Sequence, residues 1–152
     1  MRLVVQRVTA ASVSSEGEVL GRIGHGAVVL VGIGQTDTEV VVDRLADKLL
    51  DLRYFEDGDG QTNLDLAAVD GALLVVSQFT LLADVRRGRR PGFTGAAAPD
   101  RAAPLVERFV DRLRGRGVEV ATGRFGAHMA IELTNDGPFT LLLDSASDLS
   151  GP

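Results

Sequence analysis

Hydrophobic and polar residues alternate along the first third of the chain, in the pattern of β-strands that bury one face. The segments RLVVQRV, ASVSSEGEV and VLGRIG follow this period of two. The run AVVLVGIG, between Gly26 and Gly34, is apolar throughout, which is typical of a strand buried on both faces. Four later segments also predict strands: ALLVVSQFTLL (residues 72–82), VEVATG, HMAIELT and FTLLLD.

Two other segments have the period of amphipathic helices. Thr38 can serve as the N-cap of the first, EVVVDRLADKLLDLR, whose apolar residues fall on one stripe. The second is predicted over residues 100–114, although Pro104 removes a hydrogen bond near its start. Between these elements, FEDGDGQTN predicts a polar turn, and residues 84–99 predict a long loop of the kind that is functional or mobile.

The arrangement of these elements predicts a single α+β domain. No repeat or low-complexity run divides the chain, so we expect one domain over residues 1–144 and a flexible tail over residues 145–152, where SASDLSGP has little to bury. Strands outnumber helices and are joined by hairpins as well as by helical crossovers. We therefore expect a mixed or antiparallel β-sheet, or a partly closed barrel, with two main helices packed on one side.

Composition narrows the possible chemistry. The 152 residues include no cysteine, which excludes disulfides, thiolate nucleophiles and cysteine zinc sites, and which fits a reducing compartment. The start MRLVVQRVTA is too short and too charged for a signal peptide, and no apolar stretch reaches membrane-span length. We expect a cytoplasmic protein without a membrane partner.

The net charge is −5, yet the arginines are clustered. One cluster, in DVRRGRRPGF, consists of Arg86, Arg87, Arg89 and Arg90. A second, in DRLRGRG, consists of Arg112, Arg114 and Arg116. Two interpretations stay open: a solvated loop and helix end, or a patch that contacts phosphates and steers a polyanion to one face.

Ionisable catalytic groups are scarce. His25 lies between glycines in a predicted turn, and His128 begins a strand, so neither is singled out as the base of a catalytic triad. No His, Asp or Glu cluster has metal-ligand spacing, and GIGQTD lacks the lysine of a phosphate-binding loop. We predict neither a metal nor a cofactor.

Two short motifs contain polar or constrained residues where a plain strand is expected. SQFTL puts Ser77, Gln78 and Thr80 at the end of a buried strand. Either the strand emerges at the surface, or its hydroxyls and backbone N–H groups line a pocket that stabilises an oxyanion, with Phe79 as a wall. In NDGPFT, an Asp-Gly hairpin signal is followed by Pro138, which donates no backbone N–H.

These motifs carry a resemblance to a known family. VVQRV, SQFTL, RRPGF, PDRA, TGRFGAHM and NDGPFT occur in the order and spacing of the D-aminoacyl-tRNA deacylases, which remove D-amino acids mistakenly esterified to tRNA. The chain resembles them over roughly residues 1–144. One departure is Gly92, where many relatives carry serine, and we expect it to alter loop packing more than chemistry.

The resemblance implies a homodimer with active sites at the interface, acting in translation proofreading. In such enzymes a cis Gly-Pro dipeptide, here Gly137 and Pro138 supported by Arg7, enters the partner's pocket. Its parallel carbonyls leave no room for an L side chain, whereas D-aminoacyl-tRNA and glycyl-tRNA fit. Physical reasoning from the sequence alone favours a trans bond, because only about 5–6% of X-Pro bonds are cis.

The resemblance also implies roles for the remaining motif residues. Ser77, Gln78, Phe79 and Thr80 hold the 3′-terminal adenosine and the ester in the catalytic pocket. Amides near Phe79 and Thr80 form the oxyanion hole, and the 2′-hydroxyl of the RNA assists water, since no base is visible to activate Thr80. The other predicted contacts are Phe125 and Met129 around adenine, and Arg86, Arg87, Arg89 and Arg90 on acceptor-stem phosphates.

Two other functions stay open at this point. A non-catalytic RNA-binding module would use the arginines and Phe79 without turnover, and it would explain the scarcity of catalytic side chains. A small-molecule esterase would use Thr80 as its nucleophile.

Overall fold

The computed structural model describes residues 1–86 and 88–149, which form a mixed six-stranded sheet, a small hairpin and helices. The strands are β1 (Arg2–Ser15), β2 (Glu18–Ile23), β3 (Gly26–Gly32), β4 (Phe55–Glu56), β5 (Thr62–Leu64), β6 (Ala72–Ser77), β7 (Val120–Thr122) and β8 (Ala130–Asp144). The helices are α1 (Glu39–Asp51), α2 (Pro99–Gly115) and the single turn α3 (Ser145–Asp148), and a 3-10 turn spans Phe79–Leu82.

The sheet is nearly closed into a barrel. Its strand order is β2-β1-β3-β6-β7, and β8 pairs with β1 outside that order. The β3–β6 and β6–β7 pairs are parallel, whereas β1 is antiparallel to β2, β3 and β8. The two ends of the order approach each other, because a Cβ added at Gly21 of β2 would lie 2.8 Å from the carbonyl oxygen of Thr122 in β7. The predicted α+β class and partly closed barrel are confirmed.

The two main helices pack on one face of the sheet, as predicted. Thr38 caps α1, its Oγ1 accepting from the backbone N–H of Val41 at 3.4 Å. Buried apolar residues of both helices and of the sheet share one core; the larger helical members are Leu45, Leu49, Phe109 and Leu113. A second buried cluster, which includes Val8, Val13, Val28 and Leu74, fills the other side of the sheet. Among residues 1–86 and 88–149, no helix is long and apolar enough to cross a membrane.

Three predicted boundaries are wrong. RLVVQRV and the start of ASVSSEGEV form one continuous strand, β1. The strand predicted through residue 82 ends at Ser77, where the chain leaves the sheet and enters the 3-10 turn. HMAIELT and FTLLLD belong to the single strand β8, because β1 pairs with residues on both sides of the intervening motif. The predicted polar turn at residues 55–63 contains the small β4–β5 hairpin.

The segment for which we predict a flexible tail begins with an ordered turn. Leu149 packs partly buried against the main core, and its carbonyl oxygen accepts from Arg44 at 2.9 Å. Lys48 donates to the carbonyl oxygen of Asp148 at 2.9 Å. Residues 150–152 lie outside the described residues, and the flexibility of the segment stays a prediction.

A ladder of ion pairs joins the exposed faces of α1 and α2. The pairs are Arg108 with Asp43 and Glu39 (2.7 Å each), Arg112 with Asp47 (2.7 Å), and Arg116 with Asp47 (2.9 Å) and Asp51 (3.5 Å). Residue numbers rise together along both helices, so the helices run parallel. The arginines near the end of α2 therefore bind the protein's own carboxylates, and Arg114 donates to the carbonyl oxygen of Val120 at 2.9 Å. This geometry does not support the hypothesis that they contact phosphate.

We expect Asp47→Asn to lower the free energy of unfolding by about 0.5–1 kcal/mol at neutral pH, because it weakens two exposed pairs. The hydrogen bond from Arg112 lowers the pKa of Asp47 below its ordinary value of 3.8. The contribution is therefore complete above that value and is lost as pH falls below it. Denaturant unfolding measured from pH 7 to pH 3 should show the difference between wild type and variant closing in acid.

Asp111→Asn is the matched control, since Asp111 lies on α2 next to Arg112 and forms no ion pair among the described residues. A gap between wild type and Asp47→Asn that is undiminished at pH 3 would contradict the electrostatic explanation.

Candidate functional site

A cavity of about 700 Å³ lies where β6 ends, between the start of α2 and the segment before β8. It brings together two motifs that are far apart in sequence: Ser77, Gln78 and Phe79 of SQFTL, and Phe125 and Met129 of TGRFGAHM. Thr80 is the only one of the four predicted SQFTL residues that does not line it. The remaining wall is mostly apolar, with Val31, Ile33, Val76, Ala97, Pro99 and Val106 among its residues.

The backbone of SQFTL turns away from the sheet at the edge of this cavity. The N–H of Gln78 donates to the carbonyl oxygen of Val31 at 2.7 Å, which is the last hydrogen bond to β3. The 3-10 turn follows, and the amides of Phe79 and Thr80 stand at its start, where N–H groups have no partner within the turn. The Phe79 side chain is 56% exposed.

The Thr80 hydroxyl is held by an amide and not by a base. Gln78 Nε2 donates to Thr80 Oγ1 at 2.6 Å. Among residues 1–86 and 88–149, this is the only side-chain hydrogen bond of Thr80. No described histidine or carboxylate is placed to remove its proton, so the geometry gives no support to a threonine nucleophile.

The second motif forms a bulge in β8, which we call the Gly-Pro bulge (residues 136–139). Val8 of β1 pairs with Asn135, and Gln6 pairs with Thr140, so the single residue Arg7 faces four residues of β8. The Gly137–Pro138 peptide bond is cis. Gly137 has φ +128°, and a Cβ there would lie 3.1 Å from Arg7 Nη2, so the position requires glycine.

Arg7 is the residue of β1 that faces the bulge, and it is only 3% exposed. Its Nε donates to the carbonyl oxygen of Asp136 at 3.1 Å, and its Nη1 donates to the carbonyl oxygen of Tyr54 at 3.0 Å. Its Nη2 donates to Glu56 Oε1 at 3.1 Å, and the guanidinium lies 4.7 Å from the ring centroid of Phe139. A buried cation is tolerated when it is paired and hydrogen-bonded, as it is here.

Asn135 hydrogen-bonds across the base of the bulge, a structural role that the sequence analysis did not predict. Its Oδ1 accepts from the backbone N–H of Phe139 at 2.6 Å, and its Nδ2 donates to the carbonyl oxygen of the same residue at 3.3 Å. Nδ2 also donates to Thr140 Oγ1 at 3.3 Å and to Gln6 Oε1. The available signal was the residue type, since asparagine readily hydrogen-bonds the backbone of a following turn.

The cavity and the Gly-Pro bulge are separate on one chain. Gly137 and Pro138 are exposed, and neither lines the cavity. The structure therefore places the predicted site residues in two separate groups. The cavity group is Ser77, Gln78, Phe79, Phe125 and Met129. The bulge group is Arg7, Gly137 and Pro138.

Within the predicted loop of residues 84–99, the part that carries the arginines (residues 84–92, the arginine loop) is closed at its base. Asp84 and Gly92 exchange two backbone hydrogen bonds of 2.7 and 2.9 Å. Arg86 binds the Asp84 carboxylate through two hydrogen bonds, which hold the pKa of Asp84 well below its usual range. Arg87 lies outside the described residues. Arg89 and Arg90 are exposed and make no hydrogen bond or ion pair with another described residue.

Gly92 is not required by the loop backbone. A Cβ added there would meet the carbonyl oxygen of Asp84 at 3.8 Å, which is ordinary contact. The loop therefore has room for a side chain at this position, and the expected effect of Gly92 on loop packing stays a prediction.

Two further cavity residues were not predicted as site residues. Phe93 lines the cavity with its ring centroid 5.0 Å from that of Phe79, and His128 lines it from the segment before β8. His25 instead packs edge-on against Phe55, at 5.1 Å. Within the described ranges, no three His, Asp or Glu side chains converge as metal ligands would.

Comparisons with known proteins agree on one family. The model of the D-Tyr-tRNA(Tyr) deacylase family matches residues 4–144. A D-aminoacyl-tRNA deacylase of Symbiobacterium thermophilum is 56% identical over 145 residues, covering 95% of this chain and 96% of the relative. Another, of Chloroflexus aurantiacus, is 57% identical over 146 residues, covering 96% of this chain and 91% of the relative.

Two solved structures share the fold. A c-Myc DNA Unwinding Element Binding Protein aligns with a TM-score of 0.89 and 39% identity, covering 95% of this chain and 98% of that one. A probable eukaryotic D-amino acid tRNA deacylase aligns with a TM-score of 0.83, covering 93% of this chain and 97% of that one. At 21% identity, the second comparison supports the fold alone.

We expect Asn135→Ala to loosen the Gly-Pro bulge without unfolding the barrel, because it removes the 2.6 Å acceptor of the Phe139 amide. Hydrogen exchange at Phe139 should become about tenfold faster, as the loss of one partly buried hydrogen bond predicts. Thr134→Ala is the matched control, since Thr134 is exposed on the same strand. Equal exchange rates at Phe139 in wild type and Asn135→Ala would contradict the bracing role of Asn135.

Proposed function

This chain belongs to the D-Tyr-tRNA(Tyr) deacylase family and is a D-aminoacyl-tRNA deacylase, an ester hydrolase, and we propose that its two motifs act together across a homodimer. The observation that carries this proposal is their separation on one chain: the described residues that line the cavity do not include Gly137 or Pro138, which lie exposed elsewhere. A second copy would bring the bulge of one subunit to the cavity of the other. The enzyme then edits mischarged tRNA in the cytoplasm.

Stereochemical selection rests on the main chain of the bulge. The carbonyl groups of Gly137 and Pro138 occupy the space that an L side chain would need, and the hydrogen bonds of Arg7 to Asp136 and of Asn135 to Phe139 fix the backbone on either side of them. A D-amino acid directs its side chain elsewhere, and glycine has none, so D-aminoacyl-tRNA and glycyl-tRNA mischarged on tRNA(Ala) are both substrates. Overlap with a fixed backbone discriminates more strongly than one extra favourable contact.

The chemical step uses the RNA and the amides of SQFTL. Water adds to the ester carbonyl, assisted by the 2′-hydroxyl of the terminal adenosine, and the C–O bond to the 3′ oxygen breaks to release tRNA and the free amino acid. The N–H groups of Phe79 and Thr80 stabilise the oxyanion that forms on the carbonyl oxygen. Ser77 and Gln78 shape the pocket, and Phe125 and Met129 hold the adenine.

The arginine loop supplies contacts that do not depend on tRNA sequence. Arg89 and Arg90 are exposed without a described partner, which leaves their guanidinium groups free to contact acceptor-stem phosphates. Arg86 is already paired with Asp84, so its contribution is smaller.

Family membership favours this function over the two alternatives. A non-catalytic RNA-binding module does not fit a chain whose relatives, at 56–57% identity over nearly their full length, are deacylases. A small-molecule esterase with a Thr80 nucleophile would need a base, and the hydroxyl of Thr80 instead accepts a hydrogen bond from Gln78.

We expect the purified protein to hydrolyse D-Tyr-tRNA(Tyr) and Gly-tRNA(Ala) and to leave L-Tyr-tRNA(Tyr) intact. Release of the labelled amino acid measures all three rates under one set of conditions. Comparable rates on the D and L substrates would contradict the main-chain filter, and loss of activity in a monomeric fraction supports the shared site.

Thr80→Ala should retain much of the hydrolysis rate, whereas a tRNA that ends in 2′-deoxyadenosine should be hydrolysed far more slowly. The reason is that the RNA hydroxyl, and not the threonine, assists the attacking water. Single-turnover kinetics with D-Tyr-tRNA measure both effects. The reverse pattern would establish Thr80 as the nucleophile.

The double variant Arg89→Gln/Arg90→Gln should raise KM for D-Tyr-tRNA with little effect on kcat, and it should flatten the dependence of KM on salt. Both effects follow from the loss of phosphate contacts. Steady-state kinetics at several salt concentrations test this, with the exposed Arg22→Gln as the control. If KM rises equally with salt in wild type and double variant, the result contradicts a role of the arginine loop in tRNA binding.

A further inference from the structure

Three exposed phenylalanine rings line the cavity of the candidate site. Phe79 is 56% exposed, Phe125 is 41% exposed and Phe93 is 36% exposed. In the proposed function, Phe125 and Met129 hold the terminal adenine and Phe79 contributes its backbone amide, so the rings of Phe79 and Phe93 have no ligand of their own. Exposed aromatic rings grouped at a cavity indicate a binding surface.

The two rings support each other. Their centroids lie 5.0 Å apart with an interplanar angle of 69°, the edge-to-face geometry of a stable aromatic pair. The backbone also fixes Phe93, since its carbonyl oxygen accepts from the N–H of Ala96 at 3.0 Å. Such a preorganised pair presents flat apolar surface at little entropic cost.

Phe93 also connects the arginine loop to the cavity. The Asp84–Gly92 hydrogen bonds close the loop immediately before Phe93, so the guanidiniums of Arg89 and Arg90 and this ring belong to one short segment. The chain thus joins the cationic residues to Phe93, and the contact of the two rings joins Phe93 to Phe79 at the wall of the cavity. Cationic contacts for the backbone beside aromatic rings for the bases are the pattern of single-stranded nucleic-acid binding.

We propose that Phe93, together with Phe79, is a stacking platform for the base that precedes the terminal adenosine, which in tRNA is the last cytosine of the CCA end. The inference rests on the proposed function and extends it from one nucleoside to the single-stranded end of the RNA. Stacking is tolerant of base identity, so the platform serves every tRNA alike. A second copy of the chain is the competing occupant, and Arg89 and Arg90, which have no partner among the described residues and precede Phe93 in the chain, favour the polyanion.

The test compares binding of two analogues in which D-tyrosine is joined by an amide to 3′-amino-3′-deoxyadenosine. One carries a preceding cytidine, and the other carries an abasic ribose with the same phosphate, so the pair isolates the base from the charge. Isothermal titration calorimetry gives both dissociation constants without requiring turnover. In wild type we expect the cytidine analogue to bind about tenfold more tightly.

Phe93→Leu keeps apolar volume but removes the ring, and it should bring the ratio of the two dissociation constants close to one. Phe93→Tyr should restore the ratio. Phe125→Leu, on the other side of the same cavity, should weaken both analogues and leave the ratio near its wild-type value.

A wild-type ratio of one, or a ratio that survives in Phe93→Leu, overturns the platform. A dimer that dissociates in Phe93→Leu during analytical ultracentrifugation also overturns it, since the ring then belongs to the subunit interface. Failure of the proposed function is distinguishable: D-Tyr-tRNA would not be hydrolysed by wild type, whatever the ratio of the two dissociation constants.

Discussion

At the middle of β1, the guanidinium of Arg7 is removed from water and donates to the carbonyl oxygens of Tyr54 and Asp136 and to the carboxylate of Glu56. A charge in this position is tolerated only while these acceptors remain around it. The cation needs these acceptors, and the surrounding backbone in turn is fixed by the same hydrogen bonds. Any movement of the four-residue bulge opposite Arg7 would break these hydrogen bonds and leave a buried cation without acceptors. The unfavourable free energy of that state keeps the bulge in place.

The catalytic apparatus that we propose is built from the main chain, and it depends on this constraint. The residues that carry the proposed selection, Gly137 and Pro138, contribute carbonyl groups, and the residues that carry the proposed chemistry, Phe79 and Thr80, contribute amides. Such groups do not change charge and need no partner to activate them, but they act only when the backbone is rigid. Arg7 and Asn135 supply that rigidity on one side, and the hydrogen bond of Gln78 to β3 supplies it on the other.

Much of the fold could be predicted from the sequence, because the period of apolar residues reports directly on burial. The stripe that contains Leu45 and Leu49, the N-cap Thr38 and the buried run of β3 all lie where that period puts them. What the pattern could not show was how polar side chains bridge distant segments. Arg112 looks solvated in sequence but binds Asp47, and Asn135 looks like a turn residue but braces the bulge of a continuous strand. A pocket at SQFTL was one of two interpretations open from the residues alone, and only the resemblance implied that Ser77 and Met129, which are 52 positions apart along the chain, belong to one site.

The ion pairs between α1 and α2 have a consequence for how this surface can change during evolution. Carboxylates at four-residue intervals on one helix meet guanidiniums at four-residue intervals on the other, so reversal of the charge of Asp47 would oppose like charges at both Arg112 and Arg116. Substitutions on these two helices are therefore epistatic, although the positions are largely solvated. Pro99 and Ala102 of α2 line the cavity, so the helix whose outer face carries these guanidiniums also forms part of the cavity wall.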